Sequence, residues 1–569
     1  MAAGARARTA GTRAPGGEWR ARAIVAALAV LYTLGAFLPD WLSQRRFDGD
    51  HAQHVWWTAR FADPGLFPGD FIADFFSLPI FAPIGWQTVM RLGVELGDPQ
   101  RVAETIPFLL GPWVVWLAWR AGRAASGGPA GGVVAALAAP MLFGPLEGGM
   151  PRAFGTPVLL LAVVGLLEGR LAWVGVAGLA AALFYPPVAI NLGLTAGVVL
   201  GLQTWRERRL PKGWPALAAF GAVAVCVVLW AYATPVPEGF GPRLTRAEAE
   251  TMAEFGPNGR SALFTGSALR TAFGRGRGGY GIAPAASLTL AALVAISVRT
   301  LPRFLPTAAW ALIGSAMLAH AAAWATLFTL HLPLKYMRYA LPLFALLWLA
   351  SVAPVVGRRL AARFPALARP RWLLAGALAL LLADAVVTLR SLERRIGAED
   401  YRARTQMHRF LRKLPVDALI AAHPEDANAI PLVSKRSVLA SKEVALPYYR
   451  GYYERVAERL EASLRAHYAL DWETVDSLYD RYGVDAMVVH EHRFQPDARD
   501  FDEPFASRLG DALHAERDRY VLTRPPPDRV LYRNDAFWVV RLGPPRPGYP
   551  AREGRKRPIA KAPAAAGTR

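Results

Sequence analysis

From Ile24 to Leu389, apolar residues gather into near-continuous runs of Leu, Ala, Val, Phe and Trp, parted by short Arg-rich or Gly/Pro-rich connectors. A soluble chain would instead disperse them at a helical or strand period. A helix needs about 17–25 such residues to cross a hydrocarbon core. The runs fall at Ile24–Leu38, Ile106–Trp119, Val133–Leu146, Ala153–Leu167, Leu171–Phe184, Val188–Leu202, Ala216–Ala233, Ala285–Val298, Leu305–Leu330, Tyr339–Val356 and Trp372–Leu389. They predict about eleven spans, some short enough to be broken or re-entrant helices. Arg-rich residues precede the first run, yet Leu34–Trp41 lacks a small-x-small cleavage pattern, so that helix is read as uncleaved.

After Leu389 the pattern changes. Helical periods at Tyr401–Leu414, Tyr448–Ala469 and Thr474–Arg481 alternate with the strand-like runs ALIAAH, SVLAS, AMVVH and FWVVRL. Such alternation predicts a small α/β domain. The fold class is therefore mostly α: a polytopic α-helical membrane bundle followed by a small extracytoplasmic α/β domain. The boundaries are a cytoplasmic basic N-terminus at 1–22, a membrane domain at 23–389 with outer loops 39–105 and 234–284, the α/β domain at 390–544, and a disordered basic tail at 545–569.

Charge orients this bundle. The 569 residues carry 65 Lys and Arg against 44 Asp and Glu, a net charge of +21. In a soluble chain such a balance would point to nucleic acid; here the cations collect in alternate loops, and no nucleic-acid partner is inferred. Arg120 and Arg123, Arg206, Arg208, Arg209 and Lys212, Arg299 and Arg303, then Arg358, Arg359, Arg363, Arg369 and Arg371 all fall on the side of the N-terminus. The positive-inside rule makes that side cytoplasmic. Loop 39–105, net acidic, and everything after Leu389 then lie outside, as expected for a multi-pass protein of a bacterial-type cytoplasmic membrane. The single cysteine, Cys226, sits within an apolar run and excludes an intrachain disulfide.

The candidate chemistry lies on that outer side. The first loop reads FDGDHAQHVWWTARF from Phe47, with Asp50, Gln53, His54, Trp57 and Phe61 at helical spacing, predicting a short helix on the membrane surface. Asp48 and Asp50 stand just beyond the first span, whereas Asp63, Asp70 and Asp74 occupy a Pro/Gly-rich region suited to caps and turns. Arg152 opens a span after the GGMP turn, and Lys335, Tyr336, Arg338 and Tyr339 cluster in LKYMRYALP, with Glu147 and His331 as further edge groups. Singly, such cations snorkel to headgroups; together, facing an acidic loop, they suit a phosphate-bearing lipid. GRGRGGYG from Gly274 lacks the Lys-Ser/Thr of a P-loop and reads as a flexible loop. His490 and His492 form an H-E-H triplet without a matched acidic partner, so no metal site is assigned.

On the Asp48-Gly49-Asp50 start of the loop, the helix-patterned HAQHVWWTARF after it and the outer C-terminal domain, the chain resembles the GT-C superfamily of polytopic membrane glycosyltransferases. That family's first outer loop often opens with adjacent acids; here Gly49 splits them and His51 stands where the second often falls. The resemblance implies a polyprenyl-phosphate-sugar donor and an envelope glycan, lipid or protein as acceptor. It implies Asp50 as base, with Asp48 as second choice or as ligand to a divalent metal ion. Arg152, Lys335 and Arg338 would contact phosphate, and His54, Trp56, Trp57 and Tyr336 would contact the substrate. Two other classes compete: a transporter or flippase of lipid-linked precursors, and a non-catalytic scaffold. The former needs ionisable groups at mid-span, and Asp384 is the nearest example.

Overall fold

The computed structural model describes residues 16–43, 50–143, 146–264, 305–330, 332–363, 401–499, 501–550 and 553–554. Asp48, His331, the GRGRGGYG stretch, Asp384 and the spans expected at Ala285–Val298 and Trp372–Leu389 lie outside the described residues.

Seven of the described helices are long and apolar enough to cross a membrane: Glu18–Leu38, Pro99–Ser126, Pro151–Glu168, Pro186–Glu207, Trp214–Ala233, Thr307–Ala325 and Leu334–Arg359. Pro129–Phe143 and Leu171–Phe184 are shorter apolar helices, matching the expected short runs. Local chemistry sets their ends. Asp98 caps Pro99–Ser126 by accepting the Gln100 N–H at 3.0 Å, and Gly127 closes that helix with φ 75°. The helix then packs closely on Pro129–Phe143, because a Cβ on Gly122 would stand 2.4 Å from the Ala135 Cβ. Small residues at such contacts let membrane helices approach where no hydrophobic force drives them together.

The C-terminal region forms a six-stranded sheet of β1 (Leu419–Ala422), β2 (Ser437–Val438), β3 (Ala486–His490), β4 (Val530–Arg533), β5 (Phe537–Arg541) and β6 (Glu553–Gly554), in the order β2-β1-β3-β5-β4-β6. β1 runs parallel to β2 and β3, which follow helical crossovers including Arg450–His467 and Trp472–Tyr482. β5 then pairs antiparallel with β3 and β4, and β6 parallel with β4. This last pair corrects the tail assigned from Pro545. Glu553 continues the sheet opposite Tyr532 and accepts an ion pair from Lys413 at 2.6 Å.

A second correction concerns the first loop. Instead of one helix on the membrane surface, His51–His54 is a short helix and Trp56–Phe61 a 3-10 turn, both buried. Their aromatic residues join Phe67, Phe71, Phe75 and Phe76 in one core with Tyr452, Val456 and Leu460 of the Arg450–His467 helix. Phe75 stacks on Tyr452 at 3.5 Å. The amphipathic spacing was real, but the C-terminal domain covers the apolar face that a bilayer would otherwise have covered. Loop and domain therefore share one core on one side of the bundle.

The domain also encloses His408, His423 and His467. Burial, aided by nearby cations or by a neighbouring histidine, pushes His408 and His423 down to about 3 and His467 well below its ordinary value. The unfolded chain therefore takes up protons first, and stability present above pH 6.5 is lost as pH falls. Each buried imidazole adds a slope of about 1.4 kcal/mol per pH unit in that window. Thermal unfolding followed from pH 7 to pH 5 is expected to show a steep fall, made shallower by His467→Phe.

Candidate active site

The loop–domain core leaves a cavity of 290 Å³ at the end of the bundle, walled by Asp50, His54, Arg152 and Lys335 among others. Asp50 precedes the His51–His54 helix, whose own anchor is His51: its Nε2 lies 2.9 Å from the Gly148 carbonyl oxygen. Trp86 Nε1 donates to the Gly149 carbonyl at 2.9 Å, so the first loop holds both glycines ahead of Arg152. Gly148 and Gly149 have φ 57° and 63°, which L side chains rarely adopt. A Cβ on Gly148 would come within 1.9 Å of His51 Nε2, and one on Gly149 within 2.0 Å of the Ala103 carbonyl oxygen. This turn delivers Arg152 to Asp50, and the two form an ion pair with side chains 17% and 28% exposed. Gly148→Ala is expected to lower stability by about 2 kcal/mol, since both backbone and contact must shift. Thermal unfolding in detergent reads that loss.

Arg243 also lines the cavity; it donates from its Nε and a terminal nitrogen to the Tyr449 hydroxyl at 3.2 and 2.9 Å, and to the Thr329 carbonyl at 3.2 Å. Tyr448, Tyr449 and Leu446 of the C-terminal domain complete that wall. Tyr185 and Pro186 contribute from the start of the Pro186–Glu207 helix. Gln53 lines the cavity and donates to the Glu443 carbonyl at 2.6 Å and to its carboxylate at 3.0 Å, tying the Asp50 helix to the domain.

The structure thus brings together Asp50, His54, Arg152 and Lys335. It separates others from them. Trp57 is 2% exposed and lies in the core, its ring 6.3 Å from that of Trp86, and Trp56 is equally buried. Tyr336 is fully buried and donates to the Leu330 carbonyl at 2.7 Å. Arg338 is half-buried and outside the cavity wall. The later aspartates do local work: Asp70 caps Phe71–Phe76 through Ile72 and Ala73, Asp63 closes a turn onto Gly65, and Asp74 pairs with Arg60 at 2.6 Å. Arg243 and Tyr449 went unnoticed in the sequence, and Gln53 was read only as part of a helical spacing. Arg243 and Tyr449 lie 206 residues apart, so no local spacing joins them.

Among the described residues, no three His, Cys, Asp or Glu side chains converge as a metal site. His490 instead stacks on Phe537 at 4.2 Å, with its Nδ1 3.4 Å from Asp426.

No protein-family model matches the chain, and no curated protein matches it. Solved structures do. An oligosaccharyltransferase of Archaeoglobus fulgidus, in complex with Zn and sulfate, aligns with a TM-score of 0.50 at 13% identity, over 85% of this chain and 71% of that one. The apo form of that enzyme aligns with a TM-score of 0.50 at 12% identity, over 87% and 73%. ArnT from Cupriavidus metallidurans, in the apo state, aligns over 94% and 100% at 16% identity, with a TM-score of 0.48. At such identities the likeness is one of fold. Across most of its length the chain therefore shares the fold of that oligosaccharyltransferase.

Proposed function

We propose that the protein is a membrane glycosyltransferase that moves a sugar from a polyprenyl-phosphate carrier to an envelope acceptor on the outer face of a cytoplasmic membrane. The observation that carries this reading is the Asp50–Arg152 ion pair in a cavity that also holds Lys335 and Arg243. One carboxylate and several cations around one space suit the two demands of the reaction. A base must take the proton of the acceptor hydroxyl as its oxygen bonds to the anomeric carbon. Cations must stabilise the negative charge left on the carrier phosphate as the bond from carbon to phosphate oxygen breaks. Asp50 fills the first role and receives the proton. Arg152 and Lys335 fill the second, and Arg243 adds charge within the same cavity. A phosphate arriving at Arg152 also competes with Asp50 for the guanidinium, which frees the carboxylate to act as base. Asp48, outside the described residues, is the alternate carboxylate on the same loop.

Removal of the protein from its host tests the reading. A polyprenyl-phosphate-linked sugar is expected to accumulate in the membrane lipids while one envelope glycan loses that same sugar. Unaltered lipid-linked sugars and envelope glycans would refute it.

A further inference from the structure

A second cavity, of 40 Å³, lies between residues 254–261 and the C-terminal domain, away from Asp50. Its wall includes His423, which is 2% exposed. The Nδ1 of His423 accepts the Glu425 backbone N–H at 3.4 Å, and its Nε2 has no hydrogen-bond partner. Burial keeps this ring neutral, so with Nδ1 accepting, the hydrogen sits on Nε2. A buried donor left without an acceptor is costly and calls for an oxygen.

The charges say what kind of oxygen. Lys442 is held by Glu425 at 3.1 Å and Asp502 at 3.0 Å, and Arg260 by the Glu443 carboxylate at 2.8 Å. The wall carries the carboxylates of Glu254, Glu425, Asp502 and Glu503 against the cations Arg260 and Lys442. Arg493 behind the wall also pairs with Glu425 at 3.1 Å, so four carboxylates meet three cations, a balance that gives no net pull on an anion but leaves oxygens to accept hydrogen bonds from hydroxyls. Phe501, its ring 5.3 Å from that of His423, and Phe505 supply apolar surface. One water position needs about 10–15 Å³, so the space takes about three hydroxyl-sized groups, the edge of one sugar ring.

We propose that this cavity binds the hydroxyl edge of an uncharged sugar unit. Segment 442–449 separates it from the reaction cavity: Lys442, Ala445 and Pro447 face this side, and Leu446, Tyr448 and Tyr449 the other. Gln53, three residues beyond Asp50, grips Glu443 of the same segment. A glycan seated here lies one chain segment from the candidate base. As an anchor for the acceptor the site rests on the transferase reading; as a sugar site it does not.

Saturation-transfer NMR on the full chain in nanodiscs tests it, with methyl glucoside, methyl mannoside, methyl galactoside and glucuronate as probes. At least one neutral glycoside is expected to give a signal that falls at least tenfold in Ser261→Phe, which fills the cavity from its rim, and in His423→Phe. Asp50→Asn is expected to keep that signal, so a lost transferase activity and a lost sugar site remain distinct results. The proposal is overturned if no neutral glycoside signal depends on Ser261, or if glucuronate binds more tightly than every neutral probe.

Discussion

Asp50→Asn is expected to reduce sugar transfer by about 10²–10⁴-fold, the usual contribution of a positioned base. The amide keeps the size of the side chain but cannot take a proton from the acceptor hydroxyl. Donor binding is expected to move the other way. Asp50 engages Arg152 in an ion pair, so a phosphate must compete with the carboxylate for the guanidinium. Once the charge at position 50 is removed, that competition ends, and affinity for a polyprenyl-phosphate ligand stays the same or rises. Turnover and ligand affinity measured on one membrane preparation separate these effects. A loss of both would assign Asp50 to folding rather than proton transfer, a distinction checked by the thermal unfolding of the variant.

Arg152→Ala is expected to cost both turnover and affinity, with turnover falling by about 10²–10³-fold, as when a donor to developing negative charge is removed. Arg152→Lys restores part of it, because an ammonium keeps the charge but not the two-pronged geometry of a guanidinium on phosphate. Arg243→Ala provides the comparison. Arg243 is braced by Tyr449 and the Thr329 carbonyl rather than by the Asp50 loop, so its loss is expected to be the smaller. Radiolabel transfer in membranes at matched protein abundance orders the three variants.

The bundle was legible because lipid imposes one rule on every span: a long apolar run with its backbone satisfied internally. That rule reads directly from Trp214–Ala233 or Leu334–Arg359. Asp50, Arg152 and Lys335 were legible for a related reason, since charge at a membrane edge is conspicuous against its surroundings. Aromatic residues carry no such contrast. Trp57 and Tyr336 have the composition of substrate platforms or membrane anchors, and only tertiary packing decides that they are core. The first loop illustrates the same limit. Its helical spacing foretold a buried face but not the partner, because Tyr452 and Leu460 lie far along the chain. β4 and β6 escaped notice as well. VLYR follows the turn-forming PPPDR, and β6 is only two residues long, ordered by pairing with β4. Arg243 gave no local signal, because its partner Tyr449 lies 206 residues further along the chain.

The central claim is that a carboxylate of the first loop drives transfer of a lipid-linked sugar. Its most direct test is the full chain reconstituted in liposomes with a polyprenyl-phosphate-linked radiolabelled sugar and envelope extract as acceptor. The account predicts that label leaves the lipid fraction for the acceptor with the natural protein and stays in the lipid with the Asp48→Ala/Asp50→Ala double variant. Transfer at an unchanged rate in the double variant would contradict it.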